Sequence, residues 1–161
     1  MKTQLPPDEY YKSLAKVPTS GGAVIRNTKG EFLIIKQTYK NGWHISGGMT
    51  DKNETPSQAV IREVREELGI DIRDPRLFCI DFSTGEPFSR ILFVFDCGVL
   101  SGEQIKSIKI DNDEIAEYSF VTKEKMLTEL APKIQNRIRK SLPFLDNGGC
   151  VYLENGSVIE R

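Results

Sequence analysis

The sequence predicts an α+β fold, an α/β/α sandwich in which helices cover both faces of a mixed β-sheet. Two observations lead to this prediction. Runs rich in β-branched and aromatic residues recur between turn residues, and helical spacing of apolar residues appears once early and twice late. The length of 161 residues suits one domain. We therefore expect a single domain over 1–161, with a lead-in segment at 1–20 and a hairpin-like tail at 143–161.

The strands are predicted from apolar runs that are bounded by turn residues. The first runs are Gly22–Arg26 and Phe32–Gln37, and a short run at Trp43–Ile45 ends in a loop at Ser46–Gly48. Phe88–Val99 is the densest apolar run, so we expect it at the centre of the sheet. Further strands are predicted at Leu77–Phe82, Ile91–Val99 and Ala116–Val121.

The best-defined helix runs from Pro56 to Leu68. Thr55 can cap its N-terminus, Pro56 suits the first helical position, and Gln58 completes a capping box with Thr55. Gly69 supplies the residue that commonly follows a helix. Four apolar residues at helical spacing predict the face that packs on the sheet: Val60, Ile61, Val64 and Leu68.

The last third of the chain predicts two helices and a hairpin. Lys123–Leu130 and Pro132–Leu142 have helical patterns with basic residues on an expected outer face. Val151–Leu153 and Val158–Glu160 flank an Asn-Gly turn, which indicates a β-hairpin.

Charge and cysteine content exclude several classes of protein. The net charge is −1 with acidic and basic residues nearly balanced, so a general nucleic-acid or membrane-surface binder is not expected. No apolar stretch approaches the roughly 20 residues of a membrane span, and the N-terminus has no signal-peptide core. Cys79, Cys97 and Cys150 are too scattered for a disulfide framework or a thiolate zinc site. We expect a cytoplasmic protein.

Three glutamates of the early helix carry the strongest chemical signal. Glu63, Glu66 and Glu67 are spaced by three and four residues, which places their carboxylates on one helix face. Taken alone, such a run is typical of a solvated helix surface, because glutamate is a good helix former and Arg62 can offset the repulsion. The alternative is a divalent-cation site, since magnesium prefers oxygen ligands shared between carboxylates and phosphates.

The wider spacing favours the second interpretation. Gly48 is followed after five residues by Glu54, then after seven by Arg62-Glu63-Val64, and the segment ends at Gly69-Ile70. This resembles a complete Nudix box, GX5EX7REUXEEXGU, in which U is aliphatic. Seven fixed residues would match by chance on the order of 10⁻⁹ times per position. The pattern also lies where a loop enters a helix, as the motif requires.

The resemblance extends on both sides of the box. Gly42–Gly48 resembles the approach W-x-x-PGG of the Nudix family, and Asp113–Tyr118 resembles its downstream segment D-E-x-x-E-aromatic. Ser46 departs from the family pattern, because proline usually stands there, and we expect it to loosen the loop.

Roles follow from this resemblance residue by residue. It implies that Glu66 and Glu67 are Mg²⁺ ligands, with Mn²⁺ as a possible substitute, and that Glu63 is a third ligand or the general base. The Gly47 carbonyl is a further expected ligand, and Glu114 an additional ligand or base. Arg62 would orient the glutamates. The remaining motif positions would have structural roles, in bracing the loop or shaping the backbone: Glu54, Gly48 and Gly69.

Substrate contacts are less constrained by the sequence. Lys36 and Lys40 are candidates for phosphate binding, and the alternative for each is ordinary solvated surface, which is favoured for Lys40. Trp43 and His44 are candidates for substrate contact, although such residues more often pack or hydrogen-bond within the fold.

The resemblance implies hydrolysis of a phosphoanhydride bond in a nucleoside diphosphate linked to another group, including triphosphates and nucleotide sugars. A small nucleotide-like substrate and a possible homodimer are the partners expected. Two alternatives stay open: a non-catalytic nucleotide sensor, which would usually have lost acidic positions, and an isoprenoid-diphosphate isomerase, which would need a catalytic cysteine.

Overall fold

The computed structural model describes residues 6–159. The elements in chain order are α1 (Pro7–Ser13), β1 (Thr19–Asn27), β2 (Phe32–Gln37), β3 (Ser46–Met49), α2 (Pro56–Leu68), β4 (Arg76–Ser83), β5 (Arg90–Leu100), α3 (Gly102–Lys106), β6 (Ile115–Val121), α4 (Lys123–Glu129), α5 (Pro132–Asn147), β7 (Val151–Glu154) and β8 (Ser157–Val158). Each strand predicted from the sequence before residue 122, apart from Trp43–Ile45, has a counterpart within a few residues of its expected bounds.

All the strands join one mixed sheet, as the sequence predicts. The order is β6-β2-β1-β5-β4-β7-β8, and β3 pairs with β1. The pairs β1–β5 and β4–β7 are parallel and the remaining pairs are antiparallel. Strand β5 is the middle strand of this order, in agreement with its dense apolar sequence.

Helix α2 begins and ends at the residues that the sequence indicates. The Thr55 side chain accepts from the Gln58 amide, and the Gln58 side chain accepts from the Thr55 amide. Gly69 adopts the left-handed conformation with φ of 66°, and its amide donates to the Arg65 carbonyl. These local bonds satisfy helix-end groups that would otherwise lack partners. Local hydrogen bonds therefore define both ends of α2, independently of the acidic residues that it carries.

The sheet separates two apolar clusters, which gives the predicted sandwich. One cluster lies under α2 and includes Val60, Val64 and Leu68, all fully buried, together with Ile25 and Phe95. The other lies on the opposite face, under α4 and α5; its members include Val24, Ile34, Phe78, Val94, Met126, Ile138 and Leu142.

The segment predicted as a loop at Ser46–Gly48 is a strand, which corrects the sequence interpretation. It pairs with Ser20–Ala23 of β1, in a register that places Gly21 opposite Gly48 and Gly22 opposite Gly47. A Cβ at position 47 would overlap the Gly21 carbonyl, so only glycine permits this approach. The predicted strand at Trp43–Ile45 is reduced to single bridges, from His44 to Ile35 and from Trp43 to Leu130.

The C-terminal elements differ from prediction in their lengths. Helix α5 continues past Leu142 and through Pro143 to Asn147, because Leu145 is still buried, and it ends at left-handed Gly148. The hairpin turns at Asn155–Gly156 as expected, but its second strand is only Ser157–Val158. The predicted end of that strand, at 160, lies outside the described residues.

Two short helices were not specified by the sequence. Within the lead-in segment, Pro7–Ser13 is helical, and the sequence allowed either an extended or a helical conformation there. Helix α3 was not predicted, although Ser101 and Gln104 form a capping box that identifies it in retrospect. Within residues 6–159, no helix has both the length and the apolar character needed to cross a bilayer.

Candidate functional site

Strand β3 and helix α2 bring the acidic residues of the box against two consecutive glycines. The Gly47 amide donates to Glu67 Oε2 at 3.0 Å. A Cβ at position 48 would overlap the Glu63 carboxylate, so Gly48 provides the space into which that side chain reaches. Strand β3 therefore lies directly against two of the three box glutamates, Glu63 and Glu67.

Arg62 connects the acids of the helix and the preceding loop. Its Nε and Nη2 donate to the two oxygens of Glu54 at 2.9 and 3.0 Å, and Nη2 also donates to the Met49 carbonyl at 3.0 Å. Its Nη1 donates to Glu63 Oε1 at 2.9 Å and to Glu66 Oε2 at 3.0 Å. These hydrogen bonds raise the pKa of Arg62 and, chiefly through the guanidinium, lower the pKa of Glu54. One planar cation thus fixes three carboxylates, as a rigid donor fork does best.

Glu67 is the most deeply buried acid of the site. It is 1% exposed and accepts hydrogen bonds from Ser46 Oγ at 2.5 Å, the Gly47 amide at 3.0 Å and Gln37 Nε2 at 3.2 Å. Burial raises the pKa of Glu67 to about 7, although the three donors act in the opposite direction. The carboxylate is therefore held in one place and is poised between its two protonation states near neutral pH.

The charges of neighbouring acids act on Glu63. Burial raises its pKa above the ordinary value, the hydrogen bond and charge of Arg62 oppose that change, and the charges of Glu66 and Glu114 add to it. Glu66 is more open, with 54% of its side chain exposed. The site consequently has an excess of negative charge that one arginine does not cancel.

Glu114 reaches the same region from the loop before β6. It is exposed, and its carbonyl accepts from the Thr38 amide at 2.8 Å, which ties this loop to the end of β2. The pKa of Tyr39 is raised, first by burial and then by the charges of Glu114, Glu67 and Glu63. Residues from two distant parts of the sequence thus surround one acidic centre.

The described residues do not form a ready-made cage for a metal ion. No three acidic, histidine or cysteine side chains converge closely enough among residues 6–159. The geometry gives the reason, because Arg62 engages Glu63 and Glu66 while Glu67 turns inward to Ser46.

A cavity of about 600 Å³ lies on the α5 side of the same glycines. Gln37, Ser46, Gly47 and Gly48 line it together with apolar residues of β5 and α5. Strand β3 therefore separates this cavity from the acids of α2, and its residues at that point are the glycines Gly47 and Gly48.

The four residues expected to contact substrate divide into two groups. Lys40 and His44 line the cavity, and burial lowers the pKa of His44. Lys36 is exposed on β2 opposite Glu117 and does not line the cavity. Trp43 does not line the cavity; it packs against the apolar cluster under α4 and α5, and its carbonyl accepts from the Ala131 amide.

Sequence reasoning missed three polar residues of this region. Ser46 was expected to loosen a loop, but it is 2% exposed and forms the shortest hydrogen bond to Glu67. Gln37 was assigned only to a strand, yet it is 5% exposed and also bonds Glu67. Arg137 was assigned to an outer helix face, but it is 6% exposed and pairs with Asp81. A polar residue within an apolar strand is the one signal that pointed to Gln37.

The cysteines are far from this chemistry. Burial raises the pKa of Cys79 to about 12 and also raises that of Cys97. Cys150 is exposed beside β7 and does not line the cavity.

Comparison with known proteins gives consistent matches. Residues 17–145 match the family model described as NUDIX domain. A MutT protein of Methanosarcina mazei has a solved structure with 31% identity and a TM-score of 0.66; the match covers 84% of this chain and 97% of that one.

Two curated relatives match over shorter stretches. An uncharacterised Nudix hydrolase of Listeria innocua is 35% identical over 111 residues, which are 63% of this chain and 62% of that protein. An RNA pyrophosphohydrolase of Hydrogenovibrio crunogenus is 39% identical over 56 residues, 35% of this chain and 34% of that protein. The match therefore spans from about a third to under two thirds of these curated relatives.

Proposed function

The chain belongs to the NUDIX domain family, and from this premise we propose that it is a magnesium-dependent hydrolase of phosphoanhydride bonds. The proposed substrates are nucleoside diphosphates linked to another group, among them nucleoside triphosphates and nucleotide sugars. The RNA pyrophosphohydrolase among its relatives acts, by its name, on the same kind of bond.

One observation carries this proposal. Glu63 and Glu66 share a single guanidinium nitrogen of Arg62, at 2.9 and 3.0 Å, while Glu67 lies on the next turn against the Gly47 amide. Two carboxylates thus already converge on one positive centre. A solvated helix face would leave its glutamates exposed, whereas Glu67 is 1% exposed and the Glu63 side chain is 15% exposed.

The donor set fits a hard divalent cation. All its atoms are oxygens, which magnesium prefers. Burial raises the pKa values of Glu63 and Glu67, and the charges of neighbouring acids add to the effect, so a bound cation would stabilise the ionised carboxylates. Glu66, Glu67, Glu63 and the Gly47 carbonyl would hold the ion, and Mn²⁺ would be a substitute. When bound, magnesium would neutralise phosphate charge and lower the pKa of a water molecule.

The protein would supply the remaining steps. A carboxylate of the site, at Glu63 or Glu114, would take a proton from the attacking water. Arg62 would hold the glutamates in position, and Glu54 would brace Arg62 by its two hydrogen bonds. No covalent nucleophile is needed. Cys79 and Cys97 are buried, and the exposed Cys150 does not line the cavity, which argues against the isomerase alternative because it would need a reactive cysteine.

The test is phosphate release from a panel of nucleotides and nucleotide sugars, with and without Mg²⁺. We expect Glu66→Gln or Glu67→Gln to reduce turnover by at least ~10²-fold with the fold intact, as for loss of a metal ligand. Glu124→Gln on α4 is the matched control, because this exposed glutamate lies outside the site. Full activity in both ligand variants would contradict the proposal, and silence across the panel would favour a sensor.

A further inference from the structure

The cavity beside the acidic centre has an unusual distribution of charge. Five basic residues line it and no acidic residue does: Lys40, His44, Arg90, Lys133 and Arg137. Among the described residues, Lys40, Arg90 and Lys133 form no ion pair, so their charges remain available. The interior is apolar, with Ile45, Leu92, Val94 and Ile134 in the lining. Such a cavity is suited to a ligand with an apolar or aromatic body and an anionic group.

Arg137 is the most informative residue of this lining. Its Nε donates to Asp81 Oδ2 at 2.7 Å, and Asp81 Oδ1 accepts from the Gly156 amide at 3.0 Å. Asp81 is 0% exposed, and each of its two oxygens accepts from one of those donors. Arg137 is itself 6% exposed, and its two terminal nitrogens have no hydrogen-bond partner among residues 6–159.

Arg137 lines the cavity, and its terminal nitrogens are not bonded to residues 6–159. A ligand that displaces solvent from the cavity and reaches these nitrogens must supply an acceptor, because an unpaired donor costs free energy, and the fixed fork matches two oxygens of one phosphate group. A neutral acceptor such as a base carbonyl would satisfy Arg137 but would leave the charges of Lys40, Arg90 and Lys133 without a partner. The charge of the whole lining therefore favours phosphate.

This phosphate cannot be the one that is cleaved. The box glutamates approach Gly47 and Gly48 from the α2 side, whereas Arg137 lines the cavity from α5, on the opposite face of the sheet. We propose that the cavity binds a second phosphate group, separate from the scissile anhydride, between Arg137 and the other cations of the lining, Lys40, Arg90 and Lys133. This inference rests on the proposed function and narrows it to nucleotide derivatives that are phosphorylated at a second position.

The experiment is a calorimetric titration of the metal-free protein with AMP and with adenosine. Without a divalent ion the box glutamates repel phosphate, so only the cavity can distinguish these two probes. We expect AMP to bind at least roughly ten-fold more tightly than adenosine, the value of a charge-assisted hydrogen bond. Lys133→Gln and Arg90→Gln should each reduce this preference by about three-fold or more, and Arg137→Lys should reduce it further.

Lys140→Gln is the matched control for Lys133→Gln, because this exposed lysine lies about two turns beyond Lys133 on α5 and outside the cavity. Arg137→Lys disturbs a buried ion pair, so thermal unfolding accompanies its titration, and Lys133→Gln and Arg90→Gln keep the test independent of that pair. Equal affinity for AMP and adenosine, or a preference unchanged in the Lys133 and Arg90 variants, would overturn the inference. The hydrolysis panel separates the two failures. Hydrolysis without a preference for AMP would contradict only the second phosphate site. A preference for AMP without hydrolysis would contradict only the proposed hydrolase function.

Discussion

The hydroxyl of Ser46 makes the shortest of the three hydrogen bonds to Glu67, and we predict the effect of removing it. Ser46→Ala deletes the 2.5 Å hydrogen bond to Glu67 Oε2 in a position that is 2% exposed. Water cannot readily replace the donor there. The Gly47 amide and Gln37 remain, at 3.0 and 3.2 Å, so the carboxylate stays in place but is less well stabilised in its charged form.

The size of the effect follows from that contact. A hydrogen bond to a charged group contributes about 1.5–3 kcal/mol, and one pH unit corresponds to about 1.4 kcal/mol. Loss of the hydroxyl should therefore raise the pKa of Glu67, already about 7, by about one to two units. At pH 7.5 the ionised fraction would fall about three- to 25-fold, and the apparent affinity for Mg²⁺ with it, because a metal ligand must be deprotonated.

The assay is Mg²⁺ affinity measured by calorimetry from pH 6 to 9, together with hydrolysis over the same range. The wild-type and Ser46→Ala curves should converge at high pH, where both proteins carry an ionised Glu67. Ser46→Thr keeps a hydroxyl and should restore the wild-type profile. Ser141→Ala removes another fully buried hydroxyl, which bonds the Ile138 carbonyl and Cys79 and not Glu67, and should leave the profile unchanged.

The result that would refute this reasoning is a Ser46→Ala profile that coincides with the wild type at every pH. A uniform loss of affinity at all pH values would also contradict it, since that pattern would indicate displacement of the carboxylate rather than a change in its protonation.

Three further predictions concern the same centre and its helix. Gly48→Ala should weaken Mg²⁺ binding in calorimetry, because a Cβ there would displace the Glu63 carboxylate, whereas Gly102→Ala, which meets nothing within 4 Å, should bind normally. Thr55→Ala should lower the free energy of unfolding by about 1 kcal/mol, and the melting temperature by a few degrees, through loss of the helix cap. In metal-free protein, the native state retains the Glu67 proton up to about pH 7, while the unfolded state loses it near pH 4.5. The contribution of Glu67 to the free energy of unfolding therefore falls as the pH rises between these two values. Urea unfolding should show this fall in the wild type, and the fall should be absent in Glu67→Gln.

The features that the sequence predicted well are those encoded locally. Thr55, Gln58 and Gly69 act within one turn of helix α2, and the spacing of Val60, Val64 and Leu68 describes a single face. The residues of the box could therefore be placed on one helix side without knowledge of the rest of the chain. The mixed sheet followed from the order of the elements.

What could not be predicted depends on contacts between distant segments. Strand β3 exists because Gly47 and Gly48 lie opposite Gly22 and Gly21, and glycine-rich sequence by itself indicates a loop. The bond from Ser46 to Glu67 is a consequence of that pairing. Arg137 was expected among outward-facing basic residues, because its partner Asp81 lies 56 positions earlier and no periodicity connects them.

The turn at Gly156 has a consequence for how relatives of this protein diverge. Its amide anchors the carboxylate that orients Arg137, yet the turn follows the segment 17–145 that is shared with the family. Two proteins with the same box helix could thus accept different molecules merely because their terminal hairpins differ. Ligand selectivity would then evolve by exchange of a short appendage, without any change in the residues that perform the reaction.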